Sequence, residues 1–500
     1  MKRARTGRLI LQAVVALLAL PLALAAHAMD APRASALGPE VAAGRPSGGF
    51  VGRLTVTPEH GPAGTPVTVH AKGLPANEEF DLVWVTVTGA WKVSNAEYHG
   101  RDYRQVAYRI ATAKSDSDGQ LTARFTVPED FGFAHDIVLQ KDGRLFTQAN
   151  FHLDMTVSVS PQSGPVGTPI KVDVKGIGWR QLQNSWLLLY DNNFTGWISA
   201  VTTAGSASFT IPATGRPGRH VLELLHGDFT FPYRNMQQSP EPDRPRFVLH
   251  FTVTPGPAAL PPPIEQQALT NPRGLPPQGE LFATPRFSGV GQSVSVRGSG
   301  LTPSKTHRLN WGTVTGNRVG GGGWDESSRV IAEATADASG NVAFRFNAPD
   351  DLGGAHGLSV DDGASKKTGS YWILPTALPL EVTRGPAGTP FTIRLKGVGW
   401  TETANIYTVV YDNSYIGYAC GFNSQGDVEI TLQATGAPGW HFIDLYPAIY
   451  KGDEKRPINF RLPQLSFADD HPGEDLPRFR FAFEVTEPET RSVDSPPKAK

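Results

Sequence analysis

Apolar and polar residues alternate with a period of two along much of this chain, and the alternating runs stand behind a recurring sextet. Val67, Val69 and Ala71 follow Gly61-Pro62-Ala63-Gly64-Thr65-Pro66; Ile170, Val172 and Val174 follow Gly164-Pro165-Val166-Gly167-Thr168-Pro169. A third copy runs Gly385-Pro386-Ala387-Gly388-Thr389-Pro390, and a degenerate one covers Gly289–Val294. Period-two alternation predicts half-buried strands. Turns at Gly73, Gly176, Gly300 and Gly397 end each run. Leu187-Leu188-Leu189-Tyr190 is apolar without alternation and predicts a buried strand, with Asp191-Asn192 as the turn that follows.

The repeats form two classes. Residues 164–224 align without a gap on 385–445, a shift of 221, with 23 of 61 positions identical, among them Trp179 with Trp400 and Tyr190-Asp191-Asn192 with Tyr411-Asp412-Asn413. The first repeat instead matches the third, Trp84 with Trp311 and His135 with His356. The order A-B-A′-B′ reads as a duplicated two-domain unit, and the fold class as all-β, four tandem immunoglobulin-like β-sandwich domains. The predicted layout is a signal peptide over 1–28, a flexible leader over 29–50, domain A over 51–153 and domain B over 154–254. A Pro-rich linker over 255–280, domain A′ over 281–375, domain B′ over 376–486 and a polar tail over 487–500 follow. Pro261-Pro262-Pro263 and Pro276-Pro277 predict an extended spacer, so the two halves are expected to be more loosely joined than the domains inside each half. Each half is expected to fold alone.

Gly-Pro-x-Gly-Thr-Pro followed by alternating valines and a glycine turn resembles the opening strands of IPT/TIG and related bacterial immunoglobulin-like repeats. Ala336-Asp337-Ala338-Ser339-Gly340-Asn341 resembles their hairpin turn, and Gly354-Ala355-His356 the lead into their final strand. The resemblance covers most of residues 52–485. It implies a β-sandwich and an exported surface or accessory role, and carries over no catalytic residue.

Composition agrees with many short strands: there are 53 Gly and 42 Pro. Five hundred residues exceed the roughly 250–300 that one core can serve. Charge is balanced, 46 Lys+Arg against 47 Asp+Glu, which offers no field for nucleic acid. Lys2, Arg3, Arg5 and Arg8, the apolar stretch Leu9–Ala25 and Ala26-His27-Ala28 form a signal-peptide series, with cleavage expected before Met29. No later stretch is long and apolar enough for a membrane span. The expected location is periplasmic or extracellular. Cys420 is the one cysteine, so the domains are expected to hold by their cores and not by disulfides.

Enzyme signatures are sparse. His-Glu-x-x-His, Cys-x-x-Cys, Gly-x-Ser-x-Gly and Gly-Lys do not occur, so neither catalytic residues, nor a metal site, nor a cofactor is expected. His135, His220, His356 and His441 share one repeat position; in separate sandwiches they would lie too far apart to ligate one ion. Asp116-x-Asp118-Gly119 lacks the glutamate a calcium loop needs and reads as a hairpin turn. Asp469-Asp470-His471-Pro472-Gly473-Glu474-Asp475 is the strongest acidic cluster and reads as a solvated loop. The candidate ligand-binding residues are Trp179, Tyr190, Asp191 and Asn192 in B and Trp400, Tyr411, Asp412 and Asn413 in B′. An aromatic-plus-amide surface suits a sugar face, yet the same residues also suit a core cap and a tight turn. Insertions over 90–110, at Gly320–Trp324, and over 226–246 and 447–478 add aromatic and Arg-rich loops, where binding usually lives. The function expected is an exported, non-enzymatic binding or scaffold protein for a protein partner. An accessory carbohydrate-binding protein is the alternative, and an enzyme with a site at a domain junction the third reading.

Overall fold

The structure is a computed structural model that describes residues 36–46, 49–227, 231–238, 244–316, 324–363, 365–450 and 461–488. The expected signal peptide, the Gly320–Gly323 run and the end of the polar tail lie outside the described residues. The chain is all-β: four tandem immunoglobulin-like sandwiches, each a three-stranded sheet facing a larger one. In B the small sheet is Thr156–Ser160, Pro169–Lys175 and Ala207–Pro212. The larger sheet runs Ser163–Gly164, Phe247–Val253, Gly218–His226, Trp186–Tyr190, Asn193–Ile198. B′ repeats it strand for strand, with Ser414–Cys420 at the matching edge.

The sextet is the point where the chain changes sheets. Thr156–Ser160 pairs antiparallel with Pro169–Lys175, whereas Ser163–Gly164 pairs parallel with Phe247–Val253 in the other sheet. The Thr168 hydroxyl donates to the Pro165 carbonyl at 2.7 Å and fixes the bend; Thr65 and Thr389 do the same with Pro62 and Pro386. The alternating residues behind it enter the cores: Val67, Val69 and Ala71, and Ile170, Val172 and Val174, are all buried. Asp116 and Asp337 are turn residues, each accepting two backbone N–H bonds through Oδ1.

The two A–B joints are built alike. Gly132 N–H donates to Ile177 O at 3.1 Å and Gly353 N–H to Val398 O at 3.0 Å. A Cβ on Gly132 would stand 1.8 Å from Gly176 O, and one on Gly353 2.0 Å from Gly397 O. Only glycine lets the backbones of the two domains meet this closely.

The halves are not loosely joined. In the strand Trp186–Tyr190, Trp186, Leu188 and Tyr190 enter the core of B, while Leu187 and Leu189 point the other way and are also buried. They lie with Trp197, Leu225, Tyr98 from A, and Ile449 and Leu462 from B′. Val410, Tyr446 and Leu465 of B′ join the core cluster of B. Phe194 and Tyr415, the same position in the two repeats, meet edge to face with centroids 6.2 Å apart. The outward faces of the two five-stranded sheets therefore cover each other. Full burial of each such side chain is worth about 1.5–3 kcal/mol.

The B′ insertion then crosses onto B. Trp197 N–H donates to Pro463 O at 2.8 Å and Leu465 N–H to Trp197 O at 2.9 Å, extending the edge of the B sheet. Asp470, read from sequence as part of a solvated loop, is buried. It accepts from Val201 N–H (2.8 Å), Thr202 N–H (2.7 Å), the Thr202 hydroxyl (2.7 Å) and the Trp91 indole of A (3.2 Å). Residues 255–280 are likewise no free spacer. Ile264 is buried in the B′ core, and Gln267 exchanges two bonds with the Arg480 backbone, at 2.7 and 2.9 Å. The leader is not loose over its described part either: Val41 N–H donates to Ala107 O, and Arg45–Pro46 pairs with Arg144–Leu145.

Residues 36–254 and 255–488, produced separately and mixed, should therefore form a stable one-to-one complex on size exclusion. Asp470→Ala should loosen it by about 3 kcal/mol, since the change leaves buried donors unpaired. Two halves that pass through the column independently, each with its own cooperative melt, would contradict this packing.

Candidate functional site

Tyr-Asp-Asn forms the same framework in both B domains. Tyr190 is buried, donates to Thr214 O at 2.9 Å and stacks on His220; Tyr411 donates to Thr435 O at 2.9 Å and stacks on His441. Asp191 accepts from His220 Nδ1 (2.5 Å) and Val221 N–H (2.9 Å), and Asp412 from His441 Nδ1 (2.5 Å) and Phe442 N–H (2.9 Å). The other histidine nitrogen faces a carbonyl, Arg216 O or Ala437 O, each at 2.8 Å. These bonds fix a left-handed turn: φ is 48° at Asp191 and 68° at Asn192, 46° at Asp412 and 61° at Asn413. His135 and His356 hold the corresponding place in the A domains by stacking on Trp84 and Trp311, at 4.3 and 4.2 Å.

The two asparagines part company. Asn192 is exposed, whereas Asn413 is buried against B, its amide donating to Pro212 O (2.8 Å) and the Thr214 hydroxyl (3.0 Å). The Thr195 hydroxyl of B donates to the backbone carbonyl of Asn413 at 2.7 Å. Identical sequence thus serves a free turn in one repeat and a domain contact in the other.

The tryptophans sit at the A–B joints, half-buried. Trp179 packs on Phe131 and His135 of A, with centroids at 6.1 and 5.1 Å, and carries the Arg180 guanidinium over its ring. Trp400 meets Trp324 of A′ at 5.0 Å, with 58° between the rings, and Phe422 at 6.3 Å. Trp400 also lines a groove of about 740 Å³ where A, A′, B′ and the linker converge. One wall is Trp324, Glu326 and Trp372 of A′; another is Trp400, Thr401, Thr403, Gly473 and Glu474 of B′. The tip of the long A hairpin, Val93–Ala96, and Arg273-Gly274 of the linker complete it. That tip is anchored on Glu402, which is buried: Tyr98 N–H donates to its carboxylate at 2.9 Å, and Glu402 N–H to Ala96 O at 2.9 Å. Within the groove the sequence had flagged Trp400, Trp324, Glu474 and, inside the 90–110 insertion, the hairpin tip; Trp372 and Glu326 escaped it, since nothing local marks residues that only domain packing brings together.

The acidic cluster is held by bonds to its surroundings. Glu474 accepts from the Thr401 and Thr403 hydroxyls, at 3.3 and 3.1 Å, and Asp475 pairs with Arg273 at 2.9 Å. His471 bonds Gln464 and Thr403 O, each at 2.6 Å, and burial pushes its pKa down to about 4. The carboxylates beside His471 thus serve separate partners. Among the described residues no three His, Cys, Asp or Glu side chains gather as a metal site requires, and no helix is long and apolar enough to cross a membrane.

Burial pulls the His441 pKa down, but the Asp412 carboxylate and Ala437 carbonyl outweigh it and raise the value above 6.5. The stabilisation is then complete below about pH 6.5 and is lost as pH rises through the folded pKa. His441→Asn should lower stability by about 1.5 kcal/mol at pH 6 and by clearly less at pH 9; a loss that grows with pH would show the imidazole acts uncharged. Trp179→Ala should cost about 2 kcal/mol, less than the 3–5 of a fully buried tryptophan, read as a lower thermal midpoint. An unchanged midpoint would mean the ring does not hold the joint.

No family model matches the chain, and no curated protein does. Solved structures that resemble it are distant. The D1–D4 ectodomain fragment of ICAM-5 is 13% identical, covering 87% of this chain and 99% of that one, with a TM-score of 0.18. The N-terminal eight immunoglobulin domains of Down syndrome cell adhesion molecule are 13% identical over 84% of this chain and 52% of that one, at 0.15. Bacteroides ovatus SGBP-B, in complex with a mixed-linkage heptasaccharide, is 14% identical over 60% and 61%, at 0.16. Scores this low leave the domain arrangement unmatched, and none bears on function.

Proposed function

We propose that this chain is an exported, non-enzymatic binding or scaffold protein of IPT/TIG-type repeats. It presents inter-domain surfaces to a protein or polysaccharide in the periplasm or at the cell surface. The observation that carries the reading is the locked arrangement of the four sandwiches. Glycine joints fix A to B and A′ to B′, and the covered sheet faces fix B to B′. Such a block holds loops from three domains around one groove with little ordering cost on binding. That Asp470 and Asp475 are engaged in bonds between domain and linker segments supports the non-enzymatic reading. The signal-peptide series supports export. A carbohydrate partner is the second reading, favoured by the three tryptophans that line the groove.

Two results should follow in the native host. Protein recovered from the envelope or medium should begin at Met29. A photo-cross-linking residue at Asn95, on the groove rim, should give a specific adduct that the same residue at exposed Arg53 does not. Cytoplasmic protein that begins at Met1, or identical cross-linking from the two positions, would contradict the reading.

A further inference from the structure

We infer that the groove between Trp324, Trp372 and Trp400 binds an uncharged glycan whose sugar units carry equatorial hydroxyls. This rests on the reading of the chain as a binding protein and names its ligand class. The volume, about 740 Å³, falls within the roughly 300–1,000 Å³ of small-molecule sites. Trp324 and Trp400 do not stack: their rings stand at 58° with centroids 5.0 Å apart, which makes a corner and not a flat platform. A pyranose with equatorial substituents has an apolar C–H face to lay on one indole, and its hydroxyl rim then meets the adjoining walls.

Those walls carry both kinds of hydrogen-bonding group. Glu326 is exposed and Glu474 is held in place by the Thr401 and Thr403 hydroxyls, so each offers carboxylate acceptors. Ser94 and Asn95 on the hairpin tip add a hydroxyl and an amide that donate as well as accept. A sugar hydroxyl needs such a mixture; a cationic side chain needs acceptors alone. Charge excludes the anionic polymers. Among the described residues that line the groove the one cation is Arg273, which is committed to Asp475 through Nε and Nη2 and to Ala468 O; two glutamates, Glu326 and Glu474, line it as well.

The test uses the full mature chain, with cellohexaose, laminarihexaose and chitohexaose as probes, tryptophan fluorescence and calorimetry as readouts, and hexa-arginine as control. At least one hexasaccharide should bind and perturb the fluorescence. Glu326→Ala, an exposed change, should weaken that binding about tenfold or more with the thermal midpoint unchanged. Trp324→Ala should abolish it; its midpoint is followed too, since the ring touches Trp400. The inference falls if none of the three sugars binds, if Glu326→Ala binds as the wild type does, or if hexa-arginine alone is retained. If no sugar binds while the Asn95 adduct persists, the binding role stands and the glycan assignment does not.

Discussion

Leu187, Leu189, Trp197 and Leu225 point away from the core of their own sandwich, and all four are buried. A lone domain would carry them as a continuous apolar patch in water, the kind of surface that marks an interface. Here the cover is the duplicate of the same domain, brought by the same chain. The arrangement has pseudo-twofold character at Phe194 and Tyr415 and departs from it at the edges. Trp197 lies beneath the segment after Leu462, while Tyr418, its counterpart, is 42% exposed. The covering segment belongs to the longer B′ insertion, and among the described residues it seals the edge at Trp197 more fully than the matching edge at Tyr418 is sealed.

From that contact the placement of everything else follows. Holding B against B′ brings the A hairpin over B′, where Glu402 takes the Tyr98 amide and Asp470 the Trp91 indole. The hairpin tip then closes one side of the tryptophan groove. Neither A nor A′ could form that groove within its own half, because its walls come from both copies of the duplicated unit.

Most of the fold was legible because sandwich cores write a local signal. Val67, Val69 and Ala71 alternate, the sextet marks a strand that changes sheets, and Asp-Gly turns close hairpins. The continuous run Leu187–Tyr190 correctly signalled burial on both faces, but the sequence does not say what covers the second face. Composition misled at residues 255–280, since proline-rich chain is stiff and extended whether free or laid along a surface, and Ile264 and Gln267 decide the matter by contacts far away in sequence. The acidic run at 469–475 misled for a related reason: Asp470 is stabilised in burial by backbone N–H groups of another domain, which no local pattern records. Of the candidate site residues, Tyr190, Asp191, Tyr411 and Asp412 show their turn chemistry in the sequence, whereas the divergence of Asn192 from Asn413 exists only in the packing.

The account stands on B and B′ forming one cooperative unit, and native-state hydrogen exchange tests this most directly. The amides of Trp186–Tyr190 and Ile406–Tyr411 should exchange through a single opening of equal free energy, and Leu465→Ala should lower the protection of both strands together. If Ile406–Tyr411 kept its full protection while Trp186–Tyr190 lost it, the two sandwiches would be independent and the central claim would be wrong.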